Sequence, residues 1–235
     1  MSERWIEKAN LPENRVTEVV MSDYKPIFKR ELESMGILVK VPKRIDSVQG
    51  SEAYHADMSV CHLGGTEVFY ANELDEKVTA ERPLLNLCIF GENVLCHTKK
   101  AYQPILAVLR ERKKNILHTN QSYAKCSTAV VGENAVITAD AGICKICGMN
   151  DIDVLKISQG DILLDGYAYG FIGGCCGLID KDTLVFSGNV KLHRDYENIK
   201  AFARNYHVEL VSLGNEKLYD IGGILPLKEL KNVEK

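Results

Sequence analysis

Gly91-Glu92-Asn93 returns as Gly132-Glu133-Asn134, 41 positions later (132 − 91), and the sequence on either side of the two copies is of the same kind. A period of that length makes the chain an array of one supersecondary unit and constrains the fold more than any composition figure. Apolar runs precede each copy, Leu85–Phe90 and Ser127–Val131, and a short β-rich run follows. A Gly-Glu-Asn between two such runs predicts a hairpin with a tight loop.

The same grammar extends along the chain. Met58–Leu63 and Thr66–Ala71 flank Gly64-Gly65, while Cys176–Ile179 and Thr183–Ser187 flank Asp180-Lys181-Asp182. After three of the four hairpins comes an amphipathic segment with near-helical spacing: Ala101–Lys114, Ala141–Met149 and Asp195–Tyr206. Asp140 and Asp195 stand at expected N-caps, where a carboxylate accepts free first-turn N–H groups. Strand candidates follow at Asn115–Thr119, Asp153–Ser158 and Val208–Leu213; Asn72–Glu81, after the first hairpin, is short and charged. The ends supply the remainder. Pro26–Met35 and Gly36–Val41 read as helix then strand with no hairpin before them, and Leu218–Leu225 reads as a strand with no return strand. Joined, they complete a fifth unit and leave no long exposed sheet edge. The expectation is an α/β fold: a closed, five-unit, pseudo-symmetric α/β propeller. It occupies one domain over 1–235, with 1–25 an N-terminal extension and 229–235 a C-terminal tail.

Composition sets the functional bounds. A formal charge of −3 gives no electrostatic case for nucleic acid or an anionic membrane. Lys99-Lys100 and Arg110–Lys114 read as a solvated helix flank. No apolar leader and no run of about 18 apolar residues occurs, so the sequence predicts a cytoplasmic protein. The eight cysteines then read as thiols, not a disulfide framework. Cys144 and Cys147 have the Cys-x₂-Cys spacing of metal and redox sites. They share the apolar face with Ile143 and Ile146, however, and have no second pair, so core packing is the better reading. Cys61, Cys88 and Cys96 lie inside strand runs and read the same way; neither a metal nor a cofactor is expected. His62, His97 and His118 read as structural, and His193 and His207 as peripheral.

Matching positions at the start of each first strand fall near Asp57, Asn86, Cys126, Cys175 and Asp220, and all five are polar or nucleophilic in otherwise apolar runs. Polar groups converging on a pseudo-symmetry axis are costly unless partnered or functional. His55, Tyr123, Lys125 and Cys176 stand beside them. Glycines in Tyr167–Gly177, Gly174 among them, and in Asp220-Ile221-Gly222-Gly223 permit close backbone approach to a ligand. A structural polar plug is the competing reading.

The five-unit organisation, the Asp/Asn/Cys ring and the closing Asp220–Pro226 segment resemble the pentein superfamily of guanidino-group-modifying enzymes. Tyr54-His55-Ala56-Asp57-Met58, Tyr123-Ala124-Lys125-Cys126-Ser127, Tyr169–Gly174 and Asp220–Gly223 are similar to an uncharacterised bacterial branch of it, over about residues 36–228. The resemblance implies hydrolysis or transfer at an amidine carbon, with carboxylates holding a guanidinium through paired N–H···O bonds and a Cys attacking with help from a His. The chain departs from that pattern. Asp220–Leu227 contains no cysteine, where the superfamily places its nucleophile, and Tyr167–Asp180 no histidine, where it places its base.

Two functional readings follow. In the first, Cys126 or Cys175 is the nucleophile of a non-standard hydrolase or transferase acting on a guanidino, amidine or amide C–N bond. His55 is base or orienter, and Asp57 and Asp220 anchor the cationic group or amide N–H of a small ligand; Asn86, Tyr123, Lys125 and Gly174 complete the binding surface. Lys125 could favour a neighbouring thiolate, although adjacent strand residues face opposite ways. In the second, the protein is catalytically inactive and binds a small ligand or a protein partner.

Overall fold

The computed structural model describes residues 2–46, 48, 50–74 and 83–231. Residues 75–81 of the charged segment Asn72–Glu81 lie outside them; Ala71–Glu73 forms a single 3₁₀ turn. The N-terminal part supplies β1 (Glu3–Trp5), β2 (Val16–Met21), a helix at Pro26–Ser34 and β3 (Leu38–Lys40). β4 (Val60–His62) and β5 (Val68–Tyr70) form an antiparallel pair.

Three further sheets repeat one plan, in which an antiparallel hairpin is followed by a helix and a third strand parallel to the hairpin's second strand. They are β6 (Cys88–Phe90), β7 (Asn93–Cys96) and β8 (Asn115–His118); β9 (Thr128–Gly132), β10 (Ala135–Thr138) and β11 (Asp153–Lys156); and β12 (Cys176–Asp180), β13 (Thr183–Ser187) and β14 (Glu209–Leu213). Helices Gln103–Glu111, Ala141–Gly148 and Tyr196–Asn205 make the crossovers that parallel pairing requires. Last, β15 (Ile224–Leu230) returns to the N-terminus, antiparallel to β2, which is parallel to β3. The two ends of the chain thus build the same plan, with β1 added on the far edge of β15.

This corrects two expectations. Residues 1–25 are not an extension: Ile6, Val16, Val19 and Met21 are buried in the core. The last strand begins at Ile224, not Leu218, and runs into the expected tail, where buried Glu229 accepts from Arg4 and from the N–H groups of Glu13 and Asn14.

The four helices end alike. The N–H of Ile37, Lys114, Ile152 and Val208 reaches back five residues to the carbonyl of Leu32, Leu109, Cys147 and Ala203, at 2.9–3.2 Å. Gly36, Lys113, Asp151 and His207, one residue earlier, all have positive φ (54–81°). This is the six-to-one bond and left-handed residue of a Schellman cap, which turns the chain into the third strand. All four carbonyl-bearing residues are fully buried. Cys147 therefore holds a core position equivalent to Leu32 and Leu109, which explains its half of the Cys-x₂-Cys pair. Asp140 caps its helix by accepting from Ile143 N at 2.8 Å. Asp195 stands at the N-cap position but accepts from Ser158 N instead.

The repeated loops touch. Asn93 Nδ2 donates to Asn134 Oδ1 at 3.0 Å, and a Cβ on Gly91, where φ is +51°, would stand 2.5 Å from the Glu133 carbonyl. The basic helix flank is not merely solvated, because Arg112 donates to the Leu63 carbonyl and Lys114 to that of Gly91, each at 2.8 Å. His193 is buried, not peripheral, and accepts from Asp195 N. No described helix is long and apolar enough to cross a membrane.

Candidate active site

Each of the five sheets is entered through a short turn, and each turn carries one of the ring residues. Asp57 lies in the helical turn Ala56–Ser59 before β4, Asn86 two residues before β6, and Cys126 in the helical turn Ala124–Ser127 before β9. Cys175 ends the 3₁₀ turn Gly173–Cys175 before β12, and Asp220 precedes β15. All five are at most 2% exposed. They occupy the entry turns and not the strands themselves, so alternation across a sheet does not govern where their side chains point.

Hydrogen bonds tie these turns into one hub. Asn86 Oδ1 accepts from the backbone N–H of Lys125 (2.8 Å) and Cys126 (3.2 Å), donors that a one-turn helix leaves unpaired; its Nδ2 donates to the Asp57 carbonyl at 3.4 Å. Asp57 N donates to the Gly222 carbonyl at 2.9 Å. The Gly174 carbonyl accepts from Ile221 N and Gly223 N, at 2.9 and 2.8 Å. Asp220 accepts from Phe171 N (2.8 Å) and Gly222 N (3.0 Å). Glycine is required here, since a Cβ on Gly174 would lie 2.0 Å from Asp220 Oδ1 and one on Gly222 would lie 2.4 Å from that of His55.

At the centre, the Cys126 thiol donates to Asp57 Oδ2 at 2.7 Å and lies 3.9 Å from His55 Nδ1, which is 3.8 Å from Asp220 Oδ1. Asp57 Oδ1 and His55 Nε2 are buried with no partner. Lys125 is also buried and donates from Nζ to the Gly173 carbonyl at 3.2 Å. Because Lys125 and Cys126 lie on a helical turn, both side chains enter the hub, contrary to the strand-based expectation of opposite faces. Burial raises the Asp57 carboxyl to about 6, with nearby His55 pulling the other way. Burial, then Asp57 and Asp220, push the Cys126 thiol well above its ordinary range. Burial raises Asp220 too, opposed first by His55.

Cys175 is not part of this contact set. Its thiol donates to the Ile172 carbonyl at 3.1 Å, as Cys176 does at 3.2 Å, and it packs in the main apolar core. Tyr123 is half-buried at the start of the Cys126 turn, with its N–H on Gln121 Oε1. Two cavities flank the hub. One of about 170 Å³ is lined by Ser127, Phe171 and Ile172, and one of about 560 Å³ reaches Ser59. The backbone groups that hold Asp220 and Asp57, Phe171 N and the Gly222 N–H and carbonyl, were not singled out by sequence; the glycine-rich stretches containing them were the available signal.

Residues 80–225 match the model of a family of unknown function, DUF6873. The chain belongs to that family. No curated protein matches this DUF6873 chain by sequence. Among solved structures it is similar to the inosamine-phosphate amidinotransferase of Streptomyces griseus, with TM-score 0.58, 10% identity, and 98% of this chain and 99% of the other covered. It is also similar to SxtG, an amidinotransferase from Microseira wollei in the saxitoxin biosynthetic pathway (0.54, 10%, 89% and 91%). A Pseudomonas aeruginosa dimethylarginine dimethylaminohydrolase complexed with citrulline gives 0.51 and 9%, with 85% and 92% covered. At these identities the likeness shows the fold, and the fold is that of the pentein superfamily.

Proposed function

We propose that the hub of this DUF6873 protein acts on the C–N bond of a guanidino, amidine or amide group through Cys126. The observation that carries this is the triad itself: a thiol 2.7 Å from one carboxylate and 3.9 Å from an imidazole, with a second carboxylate beyond. The solved relatives include amidinotransferases, and one relative is complexed with citrulline. In this reading the five sheets are the units of one closed propeller domain in the cytoplasm, and the entry turns meet at its axis.

Asp57 and Asp220 hold the cationic group by paired N–H···O bonds. With the thiol held protonated by burial and by two carboxylates, the ligand's own positive charge is what makes thiolate accessible, since an adjacent cation favours the anion. Cys126 Sγ passes its proton to His55 Nδ1 and adds to the planar carbon. The C–N bond then breaks, and the leaving nitrogen takes that proton from the imidazolium. Water in a hydrolase, or an amine in a transferase, displaces the sulfur and restores the thiol. Asn86 fixes the turn that presents the nucleophile, and Lys125 offsets the carboxylate charge. Cys175 is a core thiol.

The test is turnover of a panel of guanidines, amidines and amides, with acid-quenched protein weighed for an adduct on Cys126. Turnover that ceases with Cys126→Ser and persists with Cys175→Ser supports the assignment. Turnover indifferent to Cys126→Ser removes it. One observation favours the non-catalytic alternative, namely that Cys126 is only 2% exposed. A guanidine that raises the melting temperature and is recovered intact would support that reading.

A further inference from the structure

The hub contains a donor set that a guanidinium does not need. His55, Asp57 and Cys126 offer an imidazole nitrogen, a carboxylate oxygen and a sulfur that lie within 4.8 Å of one another. They come from two separate entry turns, and the three residues are at most 3% exposed. A second observation points to a missing cation: Asp57 Oδ1 is buried without a hydrogen-bond partner. Buried polar atoms of this kind are satisfied in nearly all proteins, so an orphaned carboxylate oxygen beside a thiol calls for a positive ligand.

We infer that His55, Asp57 and Cys126 form a binding site for one divalent cation of the zinc class. Mixed nitrogen, oxygen and sulfur donors are the chemistry of zinc and its neighbours in the transition series; magnesium and calcium take oxygen alone. A tetrahedral ion with bonds of roughly 2.0–2.3 Å sets its donors about 3.5 Å apart. Cys126 Sγ and His55 Nδ1, at 3.9 Å, are near that spacing already, and Asp57 offers Oδ1, the carboxylate oxygen left without a partner while Oδ2 takes the thiol proton. Binding expels the thiol proton to solvent. Asp220, held by Phe171 N and Gly222 N, lies 3.8 Å from His55 Nδ1 and adds a second carboxylate charge beside the donor set. The fourth coordination position is left to a small ligand or water.

The site stands whether or not the hub turns over a guanidine, because it depends on the donor atoms alone. It has a consequence for the enzyme reading all the same. An ion bonded to Cys126 Sγ occupies the nucleophile's lone pair, so metal and covalent catalysis exclude each other, and a zinc-class ion acts as an inhibitor.

The test uses the full chain, stripped with a chelator and titrated with Co²⁺ and then Zn²⁺. Expected are one equivalent bound, a near-ultraviolet thiolate-to-cobalt band with the visible bands of a tetrahedral site, and displacement of cobalt by zinc. Cys126→Ser should remove the thiolate band, and Asp57→Asn and His55→Gln should each weaken binding on the order of tenfold or more. Cys144→Ser is the control for the other paired thiols and should leave the spectrum unchanged. No thiolate band at one equivalent, or a band that survives Cys126→Ser and is lost with Cys144→Ser, overturns the proposal. Cobalt bound through Cys126 while the metal-stripped protein turns over no guanidine, amidine or amide sinks the enzyme reading alone, and turnover by the stripped protein with no band on titration sinks the metal site alone.

Discussion

Asn86 offers the sharpest test of how the hub is held. Its Oδ1 is the acceptor for two buried backbone donors, Lys125 N at 2.8 Å and Cys126 N at 3.2 Å. In Asn86→Ala both N–H groups lose that acceptor in a site closed to solvent. A buried donor left unsatisfied costs about 1–3 kcal/mol, so the pair costs about 2–6 kcal/mol before any cavity is counted. Asn86→Leu refills the volume but supplies no acceptor, and separates the two contributions. If acceptor loss dominates, Leu destabilises nearly as much as Ala. At about 2–4 °C per kcal/mol for a chain of this size, a 4 kcal/mol loss lowers the melting temperature by roughly 8–16 °C. Equilibrium urea unfolding followed by circular dichroism measures it, with m unchanged if only stability moves. Both variants falling within about 1 kcal/mol of the parent would refute the claim that Asn86 anchors the Cys126 turn, since neither desolvated donor would then have been left unpaired.

Gly174→Ala places a Cβ 2.0 Å from Asp220 Oδ1 and displaces that carboxylate from Phe171 N and Gly222 N; a loss of about 3 kcal/mol or more in urea unfolding is expected, and near-neutrality would contradict the packing described. Asp57 gives a pH signature. Because its folded value is raised to about 6 from the ordinary 3.8, the folded state holds the proton more tightly than the unfolded chain. Stability therefore falls as pH rises between about 4 and 6, by up to about 3 kcal/mol, and the cost is fully present above 6. Asp57→Asn should flatten that slope, leaving the part that the coupled Asp220 contributes; an unchanged slope assigns it elsewhere. Iodoacetamide should label Cys126 more slowly than a peptide thiol at pH 7.5 without ligand, as burial and two carboxylates hold it protonated, and fast labelling of the unliganded protein would contradict that electrostatic picture. Asp140→Ala removes the cap to Ile143 N and should cost about 1 kcal/mol, read by thermal unfolding.

What the sequence determined was periodic. Alternating apolar runs, turn residues at recurring offsets and helical spacing located the hairpins and their helices, because those patterns are written in neighbouring residues and answer to local geometry. The same count placed Asp57, Asn86, Cys126 and Asp220 together, since a repeat carries its register with it. It could not say that these residues sit on turns, which is why Lys125 was expected to face away from Cys126. Nor could it separate Cys126 from Cys175, equivalent in register; one thiol meets Asp57, 69 residues away in the chain, and the other only the Ile172 carbonyl three residues back, and the long-range contact is what tells them apart. The four Schellman caps show the limit most plainly. Gly36, Lys113, Asp151 and His207 share a backbone conformation and no chemistry, so composition could not reveal their equivalence. Burial of Leu32, Leu109, Cys147 and Ala203 against each sheet fixes that turn, and only the folded chain supplies it.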